Sequence, residues 1–135
     1  MTVEINNRSG ERVKLALVKK VIDKFAAAYA GARREISVAF VGDREIKKIN
    51  KIYRGLDQTT DVLSFSGEDG SLGEIVLNPR QIKRQARRFN NSAERELAFI
   101  LIHGLLHLVG YDDRTEKGRL RMIRRGEEFM KKLNM

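Results

Sequence analysis

The longest apolar helix the sequence predicts starts after Asn90-Asn91-Ser92, runs from about Ala93 to Val109 and stops at Gly110. At that length it falls short of the ~20 apolar residues that cross a bilayer. A packed, water-facing domain therefore has to bury it. With 135 residues and 41% hydrophobic content the chain has the means to do so, since a domain this long hides roughly two-thirds of the surface its unfolded form exposes. The charged third of the residues then describes a decorated surface and not a disordered tail.

The remaining elements read in order. Val3 and Ile5 alternate with polar neighbours as a strand does, and Leu15, Val18, Ile22, Phe25 and Tyr29 recur at helical spacing until Gly31 ends the run. Ile36, Val38 and Phe40 mark a second strand. Gly42-Asp43 opens a helix with Ile46, Ile49 and Tyr53 on one face, closing at Gly55. Two short apolar runs, Val62 to Phe65 and Leu72 to Leu77, flank the turn-rich stretch Ser66 to Ser71 and predict a hairpin. The one proline, Pro79, follows Asn78 and opens a helix bearing Ile82, Ala86 and Phe89. A last helix begins near Asp113 and carries Leu120, Ile123, Met130 and Leu133. No repeat or linker divides the chain. The expected fold is α+β, one domain over residues 1–135, with a small mixed sheet covered by about five helices.

Lys and Arg number 27 against 18 acidic residues, a formal charge of +9, which points to polyanionic partners and first to nucleic acid. The absence of cysteine excludes disulfides, a cysteine nucleophile and Cys-type zinc fingers. The opening residues MTVEINNRSG lack a signal-peptide pattern, so a cytoplasmic chain with no membrane association is expected.

The two histidines, His103 and His107, both lie on the long apolar helix. Four residues turn a helix by about 40° beyond one full turn, so the imidazoles stack on one face. The helix then ends at Gly110, and the chain can bring back Asp113 as a third ligand, leaving a fourth position open for water. The resulting H-x3-H-x5-D matches the extended zinc-protease pattern H-E-x-x-H-x-x-G-x-x-(H/D), turn glycine included. Gly104 stands where that pattern needs its general-base Glu, which argues against a protease. Two structural alternatives stand beside the metal site: a hydrogen-bonded core histidine pair, and Asp113 with Glu116 as a capping box for the last helix, with Asp112 another possible cap.

His103-Gly104-Leu105-Leu106-His107-Leu108-Val109-Gly110-Tyr111-Asp112 resembles the signature H-G-x-L-H-L-x-G-Y-D-H of the YbeY family of bacterial endoribonucleases. The resemblance extends upstream through Asn50-Lys51-Ile52-Tyr53-Arg54, Thr60 to Phe65 and Leu72 to Leu77, and so covers the chain from about residue 36 onward. It implies a metal-dependent endoribonuclease directed at single-stranded RNA, acting in maturation of ribosomal RNA, notably of the small subunit, and in ribosome quality control. It also implies Zn2+ on three histidines. Two of these fall on His103 and His107; the third falls on Asp113, whose carboxylate is itself a legitimate zinc ligand. Ser66 replaces a proline common in the family.

The family's arginine falls on Arg54. On its own that residue reads as a helix-terminal arginine favoured by the helix dipole; the resemblance makes it a catalytic residue that holds the scissile phosphate and offsets the charge growing at phosphorus. The implied mechanism pairs it with a zinc-bound water. Its general base is unassigned, although Glu96, seven residues before His103, is a candidate to support that histidine. Arg80, Lys83, Arg84, Arg87 and Arg88 share a short helix and are RNA-binding candidates, as an alternative to a solvated face. Two other function classes stay open: a metal-dependent hydrolase of another substrate, and a non-catalytic, ribosome-associated RNA binder with a structural metal.

Overall fold

Alternation places Val3 and Ile5 inside strand β1 (Thr2–Asn7), which pairs in parallel with β2 (Glu35–Phe40). The computed structural model describes residues 1–29 and 34–135. Helix α1 (Leu15–Ala28) makes the crossover that a parallel pair requires. The expected stop at Gly31 lies outside the described residues. Helix α2 (Asp43–Arg54) follows β2 and ends at Gly55, whose φ of 72° is the left-handed conformation that suits glycine beyond a helix end. Strands β3 (Val62–Ser66) and β4 (Ser71–Leu77) form the expected hairpin, and β4 pairs in parallel with β2. The sheet order is β1-β2-β4-β3, with β3 as the antiparallel edge.

Helix α3 (Pro79–Arg88) starts as its sequence predicts: Asn78 accepts from the N–H groups of Arg80 and Gln81, and Pro79 takes the first helical position, where no N–H is needed. Helix α4 (Ala93–Leu108) is capped by Ser92, and helix α5 (Glu116–Lys132) closes the fold. The architecture is the expected α+β domain of a four-stranded mixed sheet and five helices among the described residues. None of those helices is long and apolar enough to cross a membrane.

Strand alternation divides the core into two. Ile36, Val38, Phe40, Ile75 and Leu77 join the large cluster with α1, α3, α4 and α5, whereas Ala39, Val41, Leu63 and Val76 meet Ile46 of α2. Helix α4 is the central element of the larger layer. Ala98, Leu101, Leu105 and Leu106 are all fully buried, which accounts for its apolar sequence.

Four side chains placed on inner faces by periodicity alone are exposed instead: Leu15, Tyr53, Phe89 and Leu120. On α2 the buried partner of Ile46 is Asn50, whose side-chain amide donates to the Gln58 carbonyl at 3.0 Å. The last helix starts at Glu116 and not near Asp113. Thr115 caps it, its Oγ1 accepting from the Gly118 N–H at 3.0 Å.

Candidate metal centre

The end of α4 sets the geometry. Gly110 has φ 104°, its N–H donates to the His107 carbonyl and the Tyr111 N–H to the Leu106 carbonyl, the paired bonds of a Schellman turn. That reversal carries the chain back along the face bearing His103 and His107. Asp112 accepts from the backbone N–H and the guanidinium of Arg114, tying down the loop, and Thr115 caps α5. Neither task falls to Asp113.

The Asp113 Oδ2 lies 3.7 Å from the His103 Nε2 and 3.5 Å from the His107 Nε2, and the two nitrogens are 3.2 Å apart. A tetrahedral zinc with bonds of about 2.0–2.2 Å holds its ligand atoms roughly 3.3–3.6 Å from one another. The three separations, 3.7, 3.5 and 3.2 Å, lie in that range or about 0.1 Å beyond it, so the tripod is of a size to take one such ion. A hydrogen-bonded core pair accounts for the contact between the imidazoles, but not for a carboxylate oxygen 3.5–3.7 Å from both, too far for a good hydrogen bond to either. Burial, and then the neighbouring His107, pull the His103 pKa down against the opposing pull of Asp113 and Asp61, which favours the neutral imidazole that a metal needs.

Gly104 packs directly on the sheet. A Cβ built there meets the Ser64 Oγ at 3.1 Å and the Val62 Cγ2 at 3.3 Å, and the Ser64 hydroxyl donates to the Gly104 carbonyl. Helix α4 thus lies against β3 at the position where the protease pattern carries its Glu. The sheet leaves no room for that side chain.

The tripod opens into a groove of about 620 Å³ whose lining includes Arg54, Asp61, Ser64, Phe99 and Arg119. Arg54 reaches it from the end of α2. Its Nη2 donates to the Ser64 carbonyl at 2.9 Å, and its guanidinium lies 5.8 Å from the Phe65 ring centre. Asp61 is a functional candidate that sequence reasoning left without a role: it lines the groove, is held by the Gln85 side-chain amide at 3.1 Å, and lies near enough to His103 to oppose in part the lowering of that group's pKa. Its place directly before β3, inside a stretch that carries the family resemblance, was the available signal.

The other candidates are dispersed. Glu96 is buried, its Oε2 has no hydrogen-bond partner, and burial followed by Asp61 pushes its pKa up. Among the described residues no hydrogen bond joins it to His103. On α3, Arg80 and Lys83 pair with Glu11, and Arg84 grips Asp43 through both guanidinium nitrogens. These three fasten α3 to its surroundings. Arg87 and Arg88 are exposed and join no ion pair among the described residues.

The family model described as Endoribonuclease YbeY matches residues 3–134 of this chain. The chain belongs to the YbeY family. Among curated members, the Endoribonuclease YbeY of Pelotomaculum thermopropionicum is 35% identical over an alignment of 150 residues that covers 100% of this chain and 99% of that protein. That of Caldanaerobacter subterraneus subsp. tengcongensis is 40% identical over 118 residues, covering 75% of each. The solution structure of TM1509 from Thermotoga maritima is similar over 98% of this chain and 92% of its own, with a TM-score of 0.67 and 29% sequence identity. The YbeY signature occupies the end of α4 and the Schellman turn, which are the elements that build the tripod.

Proposed function

We infer that this chain is a zinc-dependent endoribonuclease that cuts single-stranded RNA in the maturation of ribosomal RNA and in ribosome quality control. Residues 1–135 act as one metallo-hydrolase domain in the cytoplasm, with small-subunit RNA as the substrate class. The carrying observation is the meeting, in one groove, of a three-ligand tripod at zinc spacing and the Arg54 guanidinium. Membership of a family described as endoribonucleases and the charge of +9 support RNA as the substrate.

His103, His107 and Asp113 hold the metal. Zinc bound there supplies Lewis-acid polarisation of a phosphoryl oxygen and acidifies water at neutral pH. Arg54 has one N–H committed to the Ser64 carbonyl, and its remaining donors take the scissile phosphate and oppose the charge that builds at phosphorus. Asp61, oriented by Gln85, accepts the proton of the hydroxyl that attacks phosphorus; as the new P–O bond forms the bond from phosphorus to the leaving oxygen breaks, and that oxygen takes a proton from water in the open groove. Arg119 adds a second cation to the groove, and Arg87 and Arg88 track the backbone beyond it.

Purified protein given single-stranded ribosomal RNA, duplex RNA and peptide substrates in parallel tests the reading. Cutting of the single strand alone is expected. Turnover of peptides without RNA would place the chain with another class of hydrolase. Salt-sensitive RNA binding without any cutting would make the metal a structural clip.

A further inference from the structure

Phe99 lines the metal groove and also a second cavity, of about 370 Å³, between the α3–α4 turn, α4 and α5. The charges around that cavity cancel: Arg95 and Lys131 stand against Glu96 and Glu127. A phosphate gains no net attraction from such a lining. Glu96 is only 7% exposed, and its Oε2 lacks any hydrogen-bond partner. A buried carboxyl in this state is costly, and a ligand that brings N–H donors removes the cost. In the unliganded pose Oε2 is closed off, and a change in the side-chain torsions on binding, the last of them broad for a carboxyl, turns both oxygens toward the cavity. The cavity also has two aromatic rings, Phe99 and Phe89, and Phe89, at the end of α3, is 63% exposed.

A neutral, planar ligand with N–H donors along one edge meets all of these features, and an unpaired nucleobase is such a ligand. Guanine alone among the RNA bases presents two adjacent donors, N1–H and N2–H, to the two oxygens of a carboxylate. Glu96 lies seven residues before His103, roughly 10 Å along the helix axis at 1.5 Å per residue. A base seated there therefore belongs to a nucleotide near the one at the tripod. The geometry points to this cavity as a guanine-reading subsite, with Glu96 accepting from the base edge and Phe89 and Phe99 against its faces; the inference rests on the RNA-cleaving reading above.

The test is a titration of the whole protein with guanosine 5′-monophosphate and, separately, uridine 5′-monophosphate, followed by calorimetry or amide NMR shifts. The guanine nucleotide is expected to bind roughly tenfold tighter or more. Glu96→Gln replaces an acceptor with an amide that opposes guanine's donors. It should abolish that preference, leave metal content unchanged and not lower the melting temperature. Phe89→Ala, at a position 63% exposed, should keep the melting temperature within a few degrees of wild type and weaken binding of the guanine nucleotide about fivefold or more through lost stacking. In cleavage, the kcat/KM ratio between single-stranded oligonucleotides differing by one G-to-U change should collapse toward one in Glu96→Gln. Equal binding of the two nucleotides, or a preference that survives Glu96→Gln, overturns the subsite and leaves RNA cleavage standing. A guanine preference in a protein that cuts no RNA overturns the nuclease reading and keeps the subsite.

Discussion

Gly104→Ala gives a prediction whose sign depends on packing. In an exposed helix the change stabilises by about 1 kcal/mol, because glycine is the poorer helix former. In α4 the new Cβ would sit 3.1 Å from the Ser64 Oγ, 3.3 Å from the Val62 Cγ2 and 3.4 Å from the Ile75 Cδ1, with β3 and β4 behind them. Turning Ser64 away breaks its hydrogen bond to the Gly104 carbonyl, a loss of about 1 kcal/mol. Moving Val62 or α4 itself overpacks the interface at about 1–3 kcal/mol. After the helix-propensity gain, a net destabilisation of about 1–3 kcal/mol remains, several degrees of melting temperature for a domain of this size. Metal affinity should fall with it, since His103 is the adjacent residue. Thermal melts with and without zinc read both effects, and Gly104→Glu should be worse on each. A Gly104→Ala protein that melts higher than wild type would refute the close approach of α4 to β3, and with it the steric reason for the missing protease glutamate.

Asp113→Ala should lose zinc affinity strongly, Asp113→His should bind at least as well as wild type, and Asp113→Asn should bind poorly because it brings no charge. Since Thr115 is the cap, Asp113→Asn should leave apo stability unchanged while Thr115→Ala costs ~1 kcal/mol; the reverse order in melts and zinc titrations would return Asp113 to a capping role. Arg54→Ala should keep fold and metal content yet lower the RNA cleavage rate on the order of a hundredfold, and a change of only a few-fold would reduce it to a general phosphate contact. The Arg84 guanidinium, helped by Asn78 and Thr59, holds the Asp43 pKa down at about 2, below the ordinary unfolded value of about 3.9. Its contribution to stability is thus whole above about pH 4 and lost as pH falls from there toward 2, and it is modest because the side chain is 36% exposed. Urea unfolding at neutral and acid pH should show the gap between wild type and Asp43→Asn closing in acid; a gap independent of pH would contradict the pairing.

The parts of the molecule legible in its sequence are those governed by local rules. Asn78-Pro79 at the start of α3, Gly110 after α4, the hairpin, and the histidine pair all follow from residue type and spacing within one element. What the sequence hid depends on distant partners. Asn50 occupies the core position of α2 because Gln58 satisfies its amide, and hydropathy alone points to Tyr53 instead. The basic run on α3 reads as one patch, but Glu11 and Asp43, some 70 and 41 residues away in sequence, take three of its five cations. Asp112 and Asp113 are indistinguishable by type; the Arg114 contact and the Thr115 cap separate them. Asp61 enters the groove only through the pairing of β3 with the sheet and its contact with Gln85.

On the proposed function, RNA cleavage depends on one metal held by His103, His107 and Asp113. The most direct measurement strips the protein with chelator, removes the chelator, and follows cleavage of single-stranded ribosomal RNA as zinc is added back, with bound metal counted at each point. The stripped protein is expected to cut nothing, recovery to rise linearly and break at one zinc per chain, and Asp113→Ala to show no recovery at that stoichiometry. Full cleavage by the stripped wild-type protein, or equal recovery in Asp113→Ala, would contradict that dependence.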